Sequence, residues 1–338
     1  MSTESHDPTK DTDLWLEDGN IVIVAQDAAF RVHRGLLSRH SEVFGGLFAL
    51  AQPDAQDAVE LCDGCPVVRI PDSAHDFRHL LHALYDGLSS MESVEEPTKY
   101  SMYAALARLG DKYGLPHIFT AAIKWLSTIF TDTYTAWHDL WTEHGNTIQI
   151  MSDRGVNPFE AANLFRITGQ ERMRPTALFM CSQLDVPVLL EGLPRADGLV
   201  EVLSRDDLQR CLEARIRFTA EMTTFLHVFY FVHTARSATS CPRLGSCAQA
   251  FAPEREAHRS YTLGANKSYY QNPFKISISM CWKITDSKCL SGALCELCAT
   301  HLLELAQDLA RSHWDALPVI MGLEDCNYSW EKAPVSVS

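Results

Sequence analysis

The stretch Phe30–Phe48, FRVHRGLLSRHSEVFGGLF, decides how the rest of the chain is read. Phe30 and Val32 close an extended run, and His33 opens a helical period that carries Leu36 and Leu37. Ser41 opens a second period with Val43, Phe44, Leu47 and Phe48 at i, i+1, i+4 and i+5, which predicts four large apolar groups on one helix face. A serine at that place can cap the helix, because the first backbone N–H groups of a helix lack intrahelical partners.

Upstream, Ile21–Val24 is a continuous β-branched run, the composition of a buried strand, and Asp27-Ala28 allows a turn back into Phe30–Val32. Downstream, Val67–Ile70 reads as a third strand stopped by Pro71. Ser73 and Asp76 have the spacing of a capping box. Behind them Phe77, Leu80, Leu81, Leu84 and Tyr85 follow one face of an amphipathic helix. Two more helices are expected at Tyr103–Tyr113 and Pro116–Phe130, separated by Gly114. The expected fold class is α+β: a small three-stranded sheet flanked by helices over residues 13–130, after a disordered tail at 1–12, then a mostly helical remainder.

In order, the residues of the opening stretch read F-x-V-H-x-x-L-L-S-x-x-S-x-x-F. That string resembles the signature of BTB/POZ domains, which are protein–protein interaction modules. Leu106–Leu126, LARLGDKYGLPHIFTAAIKWL, resembles the last helical hairpin of the same fold. Many BTB domains place Asp ten residues before the Phe, where it joins the base after His in a charged pocket. This chain has Asn20 there, with Asp18 nearby and Arg34 as the base, which leaves a polar pocket and puts a paired buried charge in question. Residues 131–236 read as helix and resemble the BACK-like extension of such proteins, followed by a Cys-rich helical module at 237–338. Leu189–Arg215 and the closing LARSHWDALPVIMGLEDCNYSW resemble a mushroom (basidiomycete) BTB-domain family. The resemblance implies protein partners bound through the BTB unit, by homodimerisation or by docking a cullin-type scaffold. The implied roles are substrate adaptor in ubiquitination or transcriptional co-regulator.

Composition narrows the classes. An apolar share of 46% with 21% charged residues suits a folded globular protein and is too apolar for disorder. The net charge of −14, with no local run of Lys and Arg, argues against nucleic acid or an anionic membrane as a main partner. No signal peptide is visible at the acidic N-terminus. The most apolar run, Phe225–Val232, is far short of the roughly 20 residues that cross a bilayer and reads as a buried helix. Eleven cysteines without a secretory signal suggest thiols in a reducing compartment, hence intracellular residence, cytoplasmic or nuclear. The motifs G-x-G-x-x-G, G-x-x-x-x-G-K-[ST], G-x-S-x-G and H-E-x-x-H do not occur, and no constellation asks for catalysis.

Seven of the cysteines lie after residue 240. Cys241-x5-Cys247 and Cys295-x2-Cys298 could supply four thiolates to a tetrahedral zinc ion. The mushroom family carries cysteines at these four places. Cys295 and Cys298 would also share a helix face with Leu302 and Leu305, where thiols pack as small hydrophobes, so spacing leaves structural zinc and core thiols open. His301 and Cys289 are substitutes for one ligand. A zinc-dependent regulator whose Cys-rich C-terminus is the working part is the rival reading. Cys62-x2-Cys65 reads as a tight turn around Asp63-Gly64, and His33 as a structural histidine at a strand-to-helix junction. His138 and His144 flank Trp141 near a helix end, and the scattered tryptophans read as core and interface anchors. Lys275–Thr285 alternates strictly and predicts a strand, while Ala293–Ala316 predicts an amphipathic helix.

Overall fold

The computed structural model describes residues 8–50, 60–227, 241–250 and 281–323, with isolated positions such as Trp330. The chain forms two compact units. The first gathers Met1–Ile129, Met151–Gln170 and Gly192–Val202, and the second Phe130–Ile150, Glu171–Glu191 and Leu203–Ser338.

The first unit is built on a five-stranded sheet of order β1-β3-β2-β5-β4, comprising β1 (Thr9–Trp15), β2 (Ile21–Ala25), β3 (Ala28–Val32), β4 (Leu61–Cys62) and β5 (Cys65–Ile70). β2 is buried at every position, as an unbroken apolar run requires when both faces are covered. It pairs antiparallel with β3, Ile23 opposite Phe30, and parallel with β5 on its other side. Two strands beyond the expected three extend the edges. β1 starts at Thr9, so the expected tail over residues 1–12 reaches too far; residues 1–7 lie outside the described residues. β4 folds onto β5 through Asp63 and Gly64, whose φ angles of 48° and 77° are those of a two-residue hairpin turn.

α1 (Arg34–His40) and α2 (Glu42–Leu50) meet at Ser41. The Phe44 N–H donates to Ser41 Oγ at 3.1 Å, the expected cap, and the same hydroxyl donates to the Tyr113 carbonyl at 2.6 Å. Phe44 and Phe48 are buried, but Val43 is 47% exposed and Leu47 only half-buried. The four apolar groups therefore do not share one environment: successive helical residues are about 100° apart, and the buried face is too narrow for both members of each adjacent pair.

α3 (Ala74–Tyr85) is capped by Ser73, whose Oγ accepts the Asp76 N–H at 3.1 Å, and it buries Phe77, Leu80 and Leu81. α4 (Thr98–Lys112) and α5 (Pro116–Leu126) pack closely, because a Cβ at Gly110 would lie 2.9 Å from the Phe119 nitrogen. Gly114 turns between them with φ at 61°. α8 (Pro158–Ile167) and the short pair β6 (Leu193–Pro194) and β7 (Val200–Glu201) complete the unit. That strand pair lies in a region read from sequence as mostly helix, with no strand signal.

The second unit is helical: α6 (Tyr134–His144), most of α7 (Thr147–Asp153), α9 (Arg174–Ser182), α10 (Val186–Glu191), α11 (Arg205–His227), α12 (Leu244–Gln249), α13 (Cys281–Leu290), α14 (Glu296–Asp315) and α15 (Leu317–Ile320). Its core gathers aromatics far apart in sequence. Trp137 stacks on Trp314 at 5.5 Å between ring centroids, Trp330 lies 5.0 Å from Trp314, and Phe179 meets both Trp137 and Phe218. Phe225 is buried on α11, while residues 228–232 of the apolar run lie outside the described residues. The expected strand at Lys275–Thr285 is not formed where it can be seen: Cys281–Thr285 open α13, which packs on α14. Only residues 281–285 of that alternating run are described, and a helix partner outweighs β propensity over so short a piece.

Candidate functional site

Three arrangements carry chemistry. The first is the corner where α2 meets the α4–α5 turn. Phe44 and Phe48 anchor α2 from inside, and Phe44 stacks on Tyr113 at 4.1 Å. On the outer side stand Val43, within 3.9 Å of the position a Gly114 Cβ would take, and Leu47. Gly45 and Gly46 follow Val43, and a Cβ built at either meets nothing within 4 Å. Each glycine inside a helix costs roughly 0.5–1 kcal/mol relative to alanine, and no neighbour here requires one. His40 and His117, 5.9 Å apart, and Glu42 give the corner a polar rim. Sequence reasoning put Val43 on one helix face with Phe44, Leu47 and Phe48 and passed over the glycine pair, whose signal was two helix-weakening residues within a strong apolar period. Gly46→Ala is expected to raise the stability of the first unit by about 0.5–1 kcal/mol, measured by hydrogen exchange of α2 amides.

His33 has the junction role expected of it. Its N–H donates to Tyr85 Oη at 2.8 Å, and its Nε2 lies 3.2 Å from Asp18. Asn20 accepts the Arg34 backbone N–H at 2.8 Å, a neutral bond where a carboxylate stands in many BTB domains. Cys65 is buried and Cys62 lies opposite it in the hairpin, the tight-turn reading. His144 ends α6 and His138 stands nearly two turns before it.

The second arrangement is a buried charge network in the first unit. Asp76 takes Arg108 and Arg195, the latter at 2.9 Å; Arg108 also pairs with Glu160, and Arg195 reaches Asp197 at 2.5 Å and Glu201 at 3.3 Å. Burial pushes the Asp76 carboxyl up, but the His75 hydrogen bond and the two guanidinium charges outweigh it and hold the pKa at about 2. Glu160 goes the other way, burial raising it more than Arg108 and Arg195 lower it. The network ties α3 and α4 to α8 and the β6–β7 hairpin. Beside it, His79 lies 3.3 Å from His75, and burial with that neighbouring ring lowers its pKa from 6.5 to about 4. An unfolded chain would protonate this ring first, so its contribution is present above pH 6.5 and is lost as pH falls toward 4. We expect His79→Gln to remove about 2 kcal/mol of acid destabilisation across that window, after allowing for partial exposure, as read from thermal unfolding against pH.

The third arrangement is the cysteine quartet of the second unit. Cys241 precedes α12, Cys247 lies on it, Cys295 stands at the N-cap of α14 and Cys298 in its first turn. The four Sγ atoms all lie within 4.8 Å of one another, and Cys241 and Cys295 are 3.7 Å apart, far beyond a disulfide bond. Backbone hydrogen bonding at Cys298 and bonds from the neighbouring thiols lower Cys295 to about 7, whereas burial raises Cys247. Neither proposed substitute ligand joins the group: Cys289 packs against its apolar surround, and His301 is exposed.

The first unit is thus a small sheet backed by helices, with an exposed, glycine-bearing helical corner. Residues 16–129 match the family model of the BTB/POZ domain, so a BTB/POZ domain occupies this part of the chain. No curated protein and no solved structure matches the chain. β1, α8 and the β6–β7 hairpin lie outside the matched span yet within the same compact unit. Among the described residues no helix is long and apolar enough to cross a membrane.

Proposed function

We propose that the chain is an adaptor that docks a cullin-type scaffold through the α2 corner of its BTB unit and presents a substrate through its helical remainder. The observation that carries this reading is the outer face of α2. Val43 and Gly46 offer exposed apolar surface and bare backbone beside the matched domain's last helical hairpin. Such a patch with a polar rim is what a partner helix needs for close approach. The reading gives the chain a binding role rather than a catalytic one.

Calorimetric titration of the full chain against a cullin scaffold tests it. Saturable binding that falls at least tenfold in Val43→Asp supports the adaptor role. A folded chain that binds no cullin, or binds equally well with Val43→Asp, counts against it. In the first case self-association or a transcriptional complex becomes the better reading of the same corner.

A further inference from the structure

We propose that Cys241, Cys247, Cys295 and Cys298 hold a structural zinc ion that staples the α12 segment to the start of α14. Four thiolates around zinc at about 2.3 Å define a tetrahedron with edges of roughly 3.8 Å. The quartet has that scale, every Sγ lying within 4.8 Å of the other three and one pair at 3.7 Å. Thiols that only fill a core have no reason to converge on one point, since sulfur–sulfur contact adds little over contact with carbon.

The surroundings suit a charged thiolate cluster. The Arg243 N–H lies 3.4 Å from Cys241 Sγ and the Cys295 N–H 3.3 Å from Cys247 Sγ, so main-chain donors are aimed at two of the sulfurs. Such outer hydrogen bonds orient metal ligands and spread their charge. Met222, Phe225, Leu294, Ala299 and Leu302 form one buried apolar cluster with Cys247, Cys295 and Cys298. The Arg243 guanidinium donates to the Gly292 carbonyl at 3.0 Å and the Leu294 carbonyl at 3.4 Å, closing the same two segments together. A closed set of four protein sulfurs leaves no coordination position for water, which makes the site structural, and soft thiolates in tetrahedral array select zinc. On binding, each thiol gives up its proton to solvent and no electron moves.

Metal analysis of the purified full chain tests the site together with a cobalt titration of chelator-stripped protein. We expect one zinc per chain, and cobalt binding with the intense thiolate-to-metal absorption and visible bands of a tetrahedral sulfur site. Cys298→Ser should lose the zinc, while Cys62→Ser should keep it. Native chain that carries no zinc and yields no such cobalt spectrum overturns the proposal, as does retention of zinc in Cys298→Ser. A stoichiometric iron in place of zinc also overturns it. The cobalt measurement needs no variant, so poor folding of Cys298→Ser leaves it decisive.

Discussion

Arg195→Met is expected to destabilise the first unit by about 3–5 kcal/mol, the cost of leaving buried carboxylates without their cation. The side chain is the shared partner of Asp76, Asp197 and Glu201, and 3.6 Å separates it from Glu160. Asp76, Glu160 and Asp197 are almost wholly buried, with side chains 5%, 5% and 3% exposed. Arg108 alone cannot neutralise that group. The loss should appear as reduced protection of β2 and α4 amides in hydrogen exchange, a readout confined to one unit of a two-unit chain. Pairing Arg195→Met with Asp197→Asn should recover part of it, because the second change removes one of the stranded charges. A cost below about 1 kcal/mol would mean that the β6–β7 hairpin is only loosely held by these ions.

Phe44→Ala is expected to cost about 3–5 kcal/mol and to abolish partner binding with it. Its ring is fully buried, stacks on Tyr113 at 4.1 Å and lies 6.3 Å from Phe77, so it joins α2 to α3 and α4. A cavity there removes the anchor that holds the outer face of α2 in place. Val43→Asp, on the neighbouring exposed position, should change stability by no more than about 0.5 kcal/mol while still removing binding. Chemical denaturation with unit-resolved hydrogen exchange separates the two outcomes. Equal destabilisation by both variants would show that Val43 is part of the core after all.

Much of the first unit was legible because its signals are local. The β-branched run at Ile21–Val24, the Ser41 and Ser73 caps and the Gly114 break each act within a few residues. Only the end of β1 was legible, where Leu14–Leu16 allows a short strand or turn, because TKDTDLW is mostly polar: an edge strand buries only Asp11 and Leu14, and Asp11 is held by Arg78 at 2.7 Å. The adjacency of Val43 and Phe44 hid which of the two faces inward. Arg195 and Asp76 are 119 positions apart, and nothing local marks either as the other's partner. The cysteine spacing named four candidate ligands but could not bring them together, since the halves are separated by 48 positions and two helices must fold first. Lys275–Thr285 shows the reverse failure, where a clear alternation gave way to helix across its described end.

The docking claim is most directly tested by the hydrogen-exchange footprint of a cullin scaffold on the full chain. Slowed exchange across 41–50 and 113–117, with the charge network and the cysteine quartet unaffected, is the predicted result. Protection confined to the second unit, or no protection at saturating scaffold, would contradict it.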